Sequence, residues 1–272
     1  MKPIDFISIS LARTGTTWLR NNLNCHPDIL AMGETWGFNL HTTKDRLNFW
    51  DLSIKAFKNK EFKIKGDISP SYALLTNEEI EICKKCCPDL KLIFILREPV
   101  SRTWSHLKHM QSHREGYFEK EENDFAKSLT DPYTTINSNY LLVLHKWQTH
   151  FSNIFIYFYE NMVANPEMFF DKLFKFLNVE SVDISKFPAH EIINNSIPLK
   201  IPNDIEKYLF SLYQTEALQL INHLEIKEYP SQWEKILTSE ELLIQTQKRI
   251  ISKVHTFEYF HKTTKKTDPF LL

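Results

Sequence analysis

The 272-residue chain carries 33 basic and 34 acidic side chains, so a broad cationic face for nucleic acid is not expected. Hydrophobic residues make up 42% of it, enough for a substantial core, yet no stretch approaches the roughly 20 apolar residues that cross a bilayer. The opening residues "MKPIDFISIS" place a proline and an aspartate before a short apolar run. That is no secretory leader, and a cytoplasmic location is the default expectation.

In chain order, a strand is predicted over Asp5–Ser10, then a turn and a helix over about Thr16–Asn24. A short strand near Ile29–Ala31 leads into "GETWGFNLH", and residues 46–60 read as helical. "FKIKGDISPSY" is a strand running into a loop, and Asn77–Lys85 is a helix. Leu90–Leu96 is a continuous apolar run of strand length, predicting a strand buried on both faces. In "REPVSRTWSHLKHM", Pro99 suits the first turn of a helix. A helix over 135–150, a strand over Asn153–Tyr159 and an amphipathic helix with Pro166 in its first turn complete the alternation.

Strands alternating with helices predict an α/β fold, a parallel β-sheet flanked by helices on both faces. With no repeat or linker, residues 1–234 read as one domain. Residues 235–272 read as a C-terminal helical extension, opened by the capping pattern Thr238-x-x-Glu241 and ending near His261. It is expected to pack on its own domain; a homodimer through this helix and, less readily, membrane association are the alternatives.

Cys83, Cys86 and Cys87 include a C-x-x-C, but no second ligand pair accompanies it at zinc spacing. They are expected to be structural, and no metal site is predicted.

The first loop is more informative. "SLARTGTTWLRNNL" places Gly15 and two threonines between a strand and a helix, in a chain with only five glycines. In parallel sheets, ligands bind at the carboxyl ends of strands. A helix start there offers unpaired N–H groups and a positive dipole end, which suits phosphate. Gly15 allows close approach, Thr16 and Thr17 add hydroxyls, and Arg13 adds a fixed charge. The loop is not a nucleoside-triphosphate loop of the G-x-x-x-x-G-K-[ST] type: position 10 is Ser and Gly15 precedes Thr16. A second anion grip is expected from Arg97, at the end of a buried strand, with Ser105 about two turns into the next helix.

Together "ARTGTTWL" and "REPVSRTWSH" resemble the two cofactor motifs of sulfotransferases that use 3′-phosphoadenosine 5′-phosphosulfate (PAPS). "HPDI", "GDISPSY" and "FYENMVANPE" extend the likeness over roughly residues 4–234. It is closer to bacterial and glycan-modifying members than to the cytosolic steroid and phenol enzymes. The resemblance implies a P-loop-like fold and PAPS as sulfuryl donor. It assigns Arg13, Thr14, Gly15, Thr16 and Thr17 to the 5′-phosphosulfate, and Arg97 and Ser105 to the 3′-phosphate. Trp18 either stacks on adenine or belongs to the core. Glu34 in "GETWGF" matches the glutamate that serves as base in glycan sulfotransferases, with Trp36 and Phe38 as an apolar wall. A surface carboxylate is the plainer reading of Glu34; Asp67 is the runner-up base, and His41 and His106 are weaker candidates. Arg13 stands where the family usually has lysine, which limits it to electrostatic stabilisation. Ile68 stands where many glycan enzymes have lysine, which weakens the case for a heavily sulfated acceptor.

The expected reaction is sulfuryl transfer to a hydroxyl, less readily an amine, on a saccharide, lipid-linked or small-molecule acceptor. The alternatives are a P-loop-like nucleotide kinase and an inactive nucleotide-binding protein of the same fold.

Overall fold

The computed structural model describes residues 4–35, 61–112, 129, 139–191 and 199–238. The chain packs as two compact units, Met1–Arg97 with Tyr140–Asn195, and Glu98–Asn139 with Ser196–Leu272. The predicted helix over 46–60 and nearly all of the predicted extension lie outside the described residues.

The first unit is built on five parallel strands: β1 (Phe6–Ser8), β2 (Ile29–Gly33), β3 (Ile64–Ile68), β4 (Lys91–Leu96) and β5 (Ile154–Phe158). Their order is β2-β3-β1-β4-β5, with β1 in the centre. From β1 the chain moves toward one edge, and from β4 toward the other. The sheet therefore changes winding direction between these two strands, where an open α/β sheet forms its ligand crevice. The predicted apolar strand is confirmed: Leu92 to Leu96 are each at most 1% exposed. The first strand is shorter than predicted because side chains replace its ladder. Ser10 Oγ accepts from Ile95 N–H at 2.8 Å and donates to the Ile93 carbonyl at 3.3 Å.

One face of the sheet buries Phe6, Ala31, Ile64, Ile93 and Ile95 against α1 (Thr16–Leu23) and the later α6 (Pro166–Leu177). Helix α1 turns Trp18, Leu19, Asn22 and Leu23 inward, the spacing of a single helical stripe. Helix α6 presents Phe169, Phe170, Leu173, Phe174 and Leu177 in the same way. Each such side chain contributes roughly 1.5–3 kcal/mol of burial. Asn165 caps α6 by accepting from Met168 N–H, and Pro166 occupies its first turn as predicted. Gly66 in β3 lies opposite Phe6, whose ring occupies the space a Cβ would need. The "HPDI" segment is a turn: His26 Nδ1 accepts from Asp28 N–H at 3.1 Å, Nε2 meets the Glu180 carbonyl at 2.9 Å, and the ring packs on Phe174.

On the other face lie the 3₁₀ turn Pro70–Leu74, α2 (Asn77–Cys86) and, after the intervening α3 (Pro99–Ser112), helix α4 (Tyr140–Gln148). Helix α2 opens with a complete capping box between Thr76 and Glu79. Cys83 and Cys87 are buried at its end and belong to the core, as expected of structural thiols. The short α5 (Tyr159–Ala164) follows β5 directly.

The second unit contains α3 (Pro99–Ser112), α7 (Asn203–His223), a 3₁₀ turn at Ser231–Trp233 and α8 (Glu234–Thr238). Glu98 caps α3, its carboxylate accepting from Val100 and Ser101 N–H. Thr103 Oγ1 donates to Tyr213 Oη at 3.1 Å, joining α3 to α7, and Trp104 donates to the Leu199 carbonyl. Trp233 is fully buried.

Lys146 on α4 is 9% exposed and donates to the carbonyls of Leu75 and Ala73 at 2.8 and 3.3 Å. Burial lowers its pKa to about 8, partly opposed by Glu79. Below pH 8 both folded and unfolded chains hold the proton; above it the folded chain releases a proton that the unfolded chain keeps to about pH 10. Stability should thus rise with pH through this window, by on the order of 2–3 kcal/mol at about 1.4 kcal/mol per unit. Denaturation curves at pH 7.5, 9 and 10 test this. Lys146→Met should flatten the rise, and an equal slope in that variant would refute the assignment.

Candidate active site

The loop between β1 and α1 is shaped by two left-handed residues. Arg13 has φ 71° and Gly15 φ 85°. The second is favourable only for glycine, and its missing Cβ matters twice: that atom would lie 2.9 Å from Met162 Cε and 3.0 Å from the Tyr159 ring. Helix α5 therefore supports the loop from one side. Gly15 is the N-cap of α1 and brings no side-chain hydrogen bond to the helix start at Thr16. Thr16 and Thr17 are half-buried.

Two of the predicted nucleotide-binding side chains are turned inward. Thr14 is fully buried and its hydroxyl donates to the Leu11 carbonyl at 2.8 Å, closing the loop on itself. Trp18 is 6% exposed, stacks on Phe170 at 5.4 Å and donates to the Ala189 carbonyl. It is a core residue, and both sequence alternatives for it are decided by what occupies its ring: Phe169 and Phe170, not open space.

Arg97 follows β4 and is brought to the loop. Its Nη1 donates to the Arg13 carbonyl at 2.7 Å, and its guanidinium lies 4.5 Å over the Tyr159 ring. Tyr140 clamps the Arg97 backbone from both sides: its hydroxyl accepts from Arg97 N–H at 3.2 Å and donates to Arg97 C=O at 2.8 Å. Arg13 loses basicity through burial and through the neighbouring positive charge of Arg97, while Tyr159 acts in the opposite sense. The Arg97 guanidinium on the Arg13 carbonyl, with the Arg13 charge in electrostatic reach and a helix N-terminus just after it, makes a setting suited to an anion. Ser105, the predicted companion of Arg97, is buried on α3 and belongs to the second unit. His106 lies beside it and is also buried.

Glu34 directly follows β2, exposed, with φ 53°. β3 lies between β2 and β1, so the strand that leads to Glu34 runs about two strand spacings, ~10 Å, from the strand that leads to the loop. Trp36, Phe38 and His41 lie outside the described residues. Asp67 is fully buried at the end of β3, and Ile68, at 2% exposure, faces the core. One oxygen of Asp67 accepts from the hydroxyls of Thr35, at 2.6 Å, Ser69, at 2.9 Å, and Tyr72. Burial raises the Asp67 carboxyl above the usual range, against the pull of these three donors.

Sequence reasoning missed Tyr159, Tyr140 and the hydroxyls around Asp67. The only signal was position: "FYE" and "SPSY" each directly follow a strand.

Comparison with curated proteins gives no match. A model of the sulfotransferase family matches residues 56–183, a span that contains the Arg97 motif and Asp67 but not the first loop. Among solved structures, the chain is similar to a sulfotransferase from Alicyclobacillus acidocaldarius, with TM-score 0.61 and 18% identity over 85% of this chain and 98% of that one. It is also similar to the sulfotransferase domain of the olefin synthase from Synechococcus PCC 7002, with TM-score 0.50 and 18% identity over 94% of each. These likenesses establish the fold. The family model, which covers a little under half of the chain, points the same way.

Proposed function

We propose that the chain transfers the sulfuryl group of PAPS to an acceptor hydroxyl, with Glu34 as general base. The observation that carries this reading is the pairing of Arg13 and Arg97 across the ends of β1 and β4, joined by the 2.7 Å hydrogen bond. Gly15 lets the loop turn in the left-handed region while packed against Met162 and Tyr159, directly before the α1 N-terminus, a setting that suits a 5′-phosphosulfate.

In this reading Gly15, Thr16 and Thr17 hold the 5′-phosphate through backbone N–H groups and hydroxyls. Thr14 and Trp18 support them from inside the fold. Arg13 stabilises negative charge on the oxygen between phosphate and sulfur as that bond breaks, and keeps its own proton. Arg97, with Ser105 from the sequence motif, takes the 3′-phosphate. PAPS supplies an activated sulfuryl group, and in-line displacement leaves positioning and charge stabilisation to the protein. Glu34, exposed at the end of β2, takes the proton from the acceptor hydroxyl. A saccharide, a lipid-linked hydroxyl or a small molecule fits this scheme, in the cytoplasm by default.

Three measurements bear on it. Incubation with PAPS and a pool of cell-extract acceptors should yield products heavier by one sulfate in mass spectra, and Glu34→Gln should lower their formation by about 10²-fold or more. Equal yield from the variant would remove Glu34 as base, and no sulfated product from the wild type would refute the transfer itself. In calorimetric titration, adenosine 3′,5′-bisphosphate should bind at least ~10-fold tighter than adenosine 5′-monophosphate. Arg97→Ala should erase that preference, since a hydrogen bond to a charged group is worth about 1.5–3 kcal/mol. Gly15→Ala should weaken binding of both nucleotides alike, because the left-handed backbone and the contacts with Met162 and Tyr159 force the loop to move.

A further inference from the structure

The end of β2 is held in an uncommon way. Glu34 has a left-handed backbone, φ 53°, although it is not glycine. Such a conformation persists when its surroundings over-determine it, and it concentrates at sites of function. Here the surroundings can be traced. Thr35 N–H donates to Ser69 Oγ at 3.1 Å, and Thr35 Oγ1 donates to Asp67 Oδ2 at 2.6 Å. Ser69 Oγ donates to the same carboxylate oxygen at 2.9 Å, and the Tyr72 hydroxyl donates to it as well. Glu34 N–H reaches toward the Ile68 carbonyl at 3.4 Å, extending the β2–β3 pairing in which Met32 faces Asp67 and Gly33 faces Ile68.

Asp67 is thus the hub of four hydroxyl- and amide-bearing contacts, directly or through Ser69. It is also fully buried, and its other oxygen, Oδ1, has no hydrogen-bond partner among the described residues. A carboxylate in that setting is costly, and packing alone would be served better by an apolar side chain. Its burial also leaves it no route to an acceptor, which Glu34, exposed on the adjoining turn, does have.

We propose that Asp67 is a positioning residue for the transfer reaction. Anchored by Tyr72, it fixes Thr35 and Ser69, and these two hold the turn that aims the Glu34 carboxylate. The inference rests on Glu34 being the base, as proposed above. It makes Asp67 neither a second base nor a binder of nucleotide: Asp67 acts only through the residue next to Thr35.

The test combines turnover, nucleotide binding and amide exchange. Thr35→Val keeps the shape but removes the hydroxyl that reaches Asp67; Thr35→Ser restores that hydroxyl. Asp67→Asn replaces the charged acceptor by a neutral one. With PAPS and the same acceptor pool, Thr35→Val and Asp67→Asn should lower turnover at least tenfold, while Thr35→Ser stays within threefold of wild type. Affinity for adenosine 3′,5′-bisphosphate should remain within twofold. By hydrogen–deuterium exchange, the amides of Glu34 and Thr35 should exchange at least tenfold faster in Thr35→Val, while those of α1 stay protected. In a Glu34→Gln background neither substitution should lower turnover further.

Unchanged turnover or unchanged exchange in Thr35→Val would overturn the proposal, even if Asp67→Asn fails to fold. So would a full further loss in the Glu34→Gln background, which would give Asp67 a role of its own, or a parallel loss of nucleotide affinity. If Glu34→Gln alone turns over like wild type, the base assignment falls and takes this inference with it. If Glu34→Gln is slow and the Thr35 and Asp67 variants are not, only the present inference falls.

Discussion

The contact between the Arg97 side chain and the Arg13 backbone ties together the loops that leave β1 and β4. Arg13 and Arg97 arise 84 positions apart in sequence, yet a guanidinium of one donates to the carbonyl of the other. Their charges repel, and burial already disfavours the charge on Arg13. What keeps them in place is neutral: the left-handed loop, the Tyr159 ring under Arg97 and the Tyr140 hydroxyl on the Arg97 backbone. The scaffold thus holds the Arg13 charge where burial and Arg97 disfavour it, a cost that a nearby anion would offset. Because the sheet reverses its winding between β1 and β4, the loops leaving these strands diverge and leave room there.

The sheet also separates two kinds of chemistry. The ends of β1 and β4 carry the cations, and the ends of β2 and β3 carry the carboxylates Glu34 and Asp67. With β3 interposed, the strands β2 and β1 run about two strand spacings, ~10 Å, apart. Asp67 lies closer to the core and is satisfied there by hydroxyls, so the two carboxylates occupy different environments although they end neighbouring strands.

Much of the architecture was legible beforehand because it follows from local pattern. "KLIFIL" reads as a doubly buried strand since six apolar or tolerated residues in a row leave no face for water. Pro99 and Pro166 mark helix starts because their fixed φ suits the first turn. The loop around Gly15 was legible for the same reason, a conformation that few residues accept. Trp18 was not, since a tryptophan on an amphipathic helix can pack or stack, and only Phe169 and Phe170, some 150 positions later, decide between them. Thr14 likewise reads as a ligand hydroxyl until the Leu11 carbonyl is seen to take it.

Residue types and spacing by themselves determined the alternation of strands and helices, the glycine turn before α1, and the two arginines that follow strands. Each depends on nearest neighbours along the chain, where sterics and periodicity act. The order of the strands, the meeting of Arg97 with Arg13, and the convergence of Thr35, Ser69 and Tyr72 on one oxygen of Asp67 were decided only by the tertiary structure. The physical reason is that hydrogen bonds and charge effects fall off over a few ångströms in space, and distance in space is set by how the sheet is wound, not by separation in sequence.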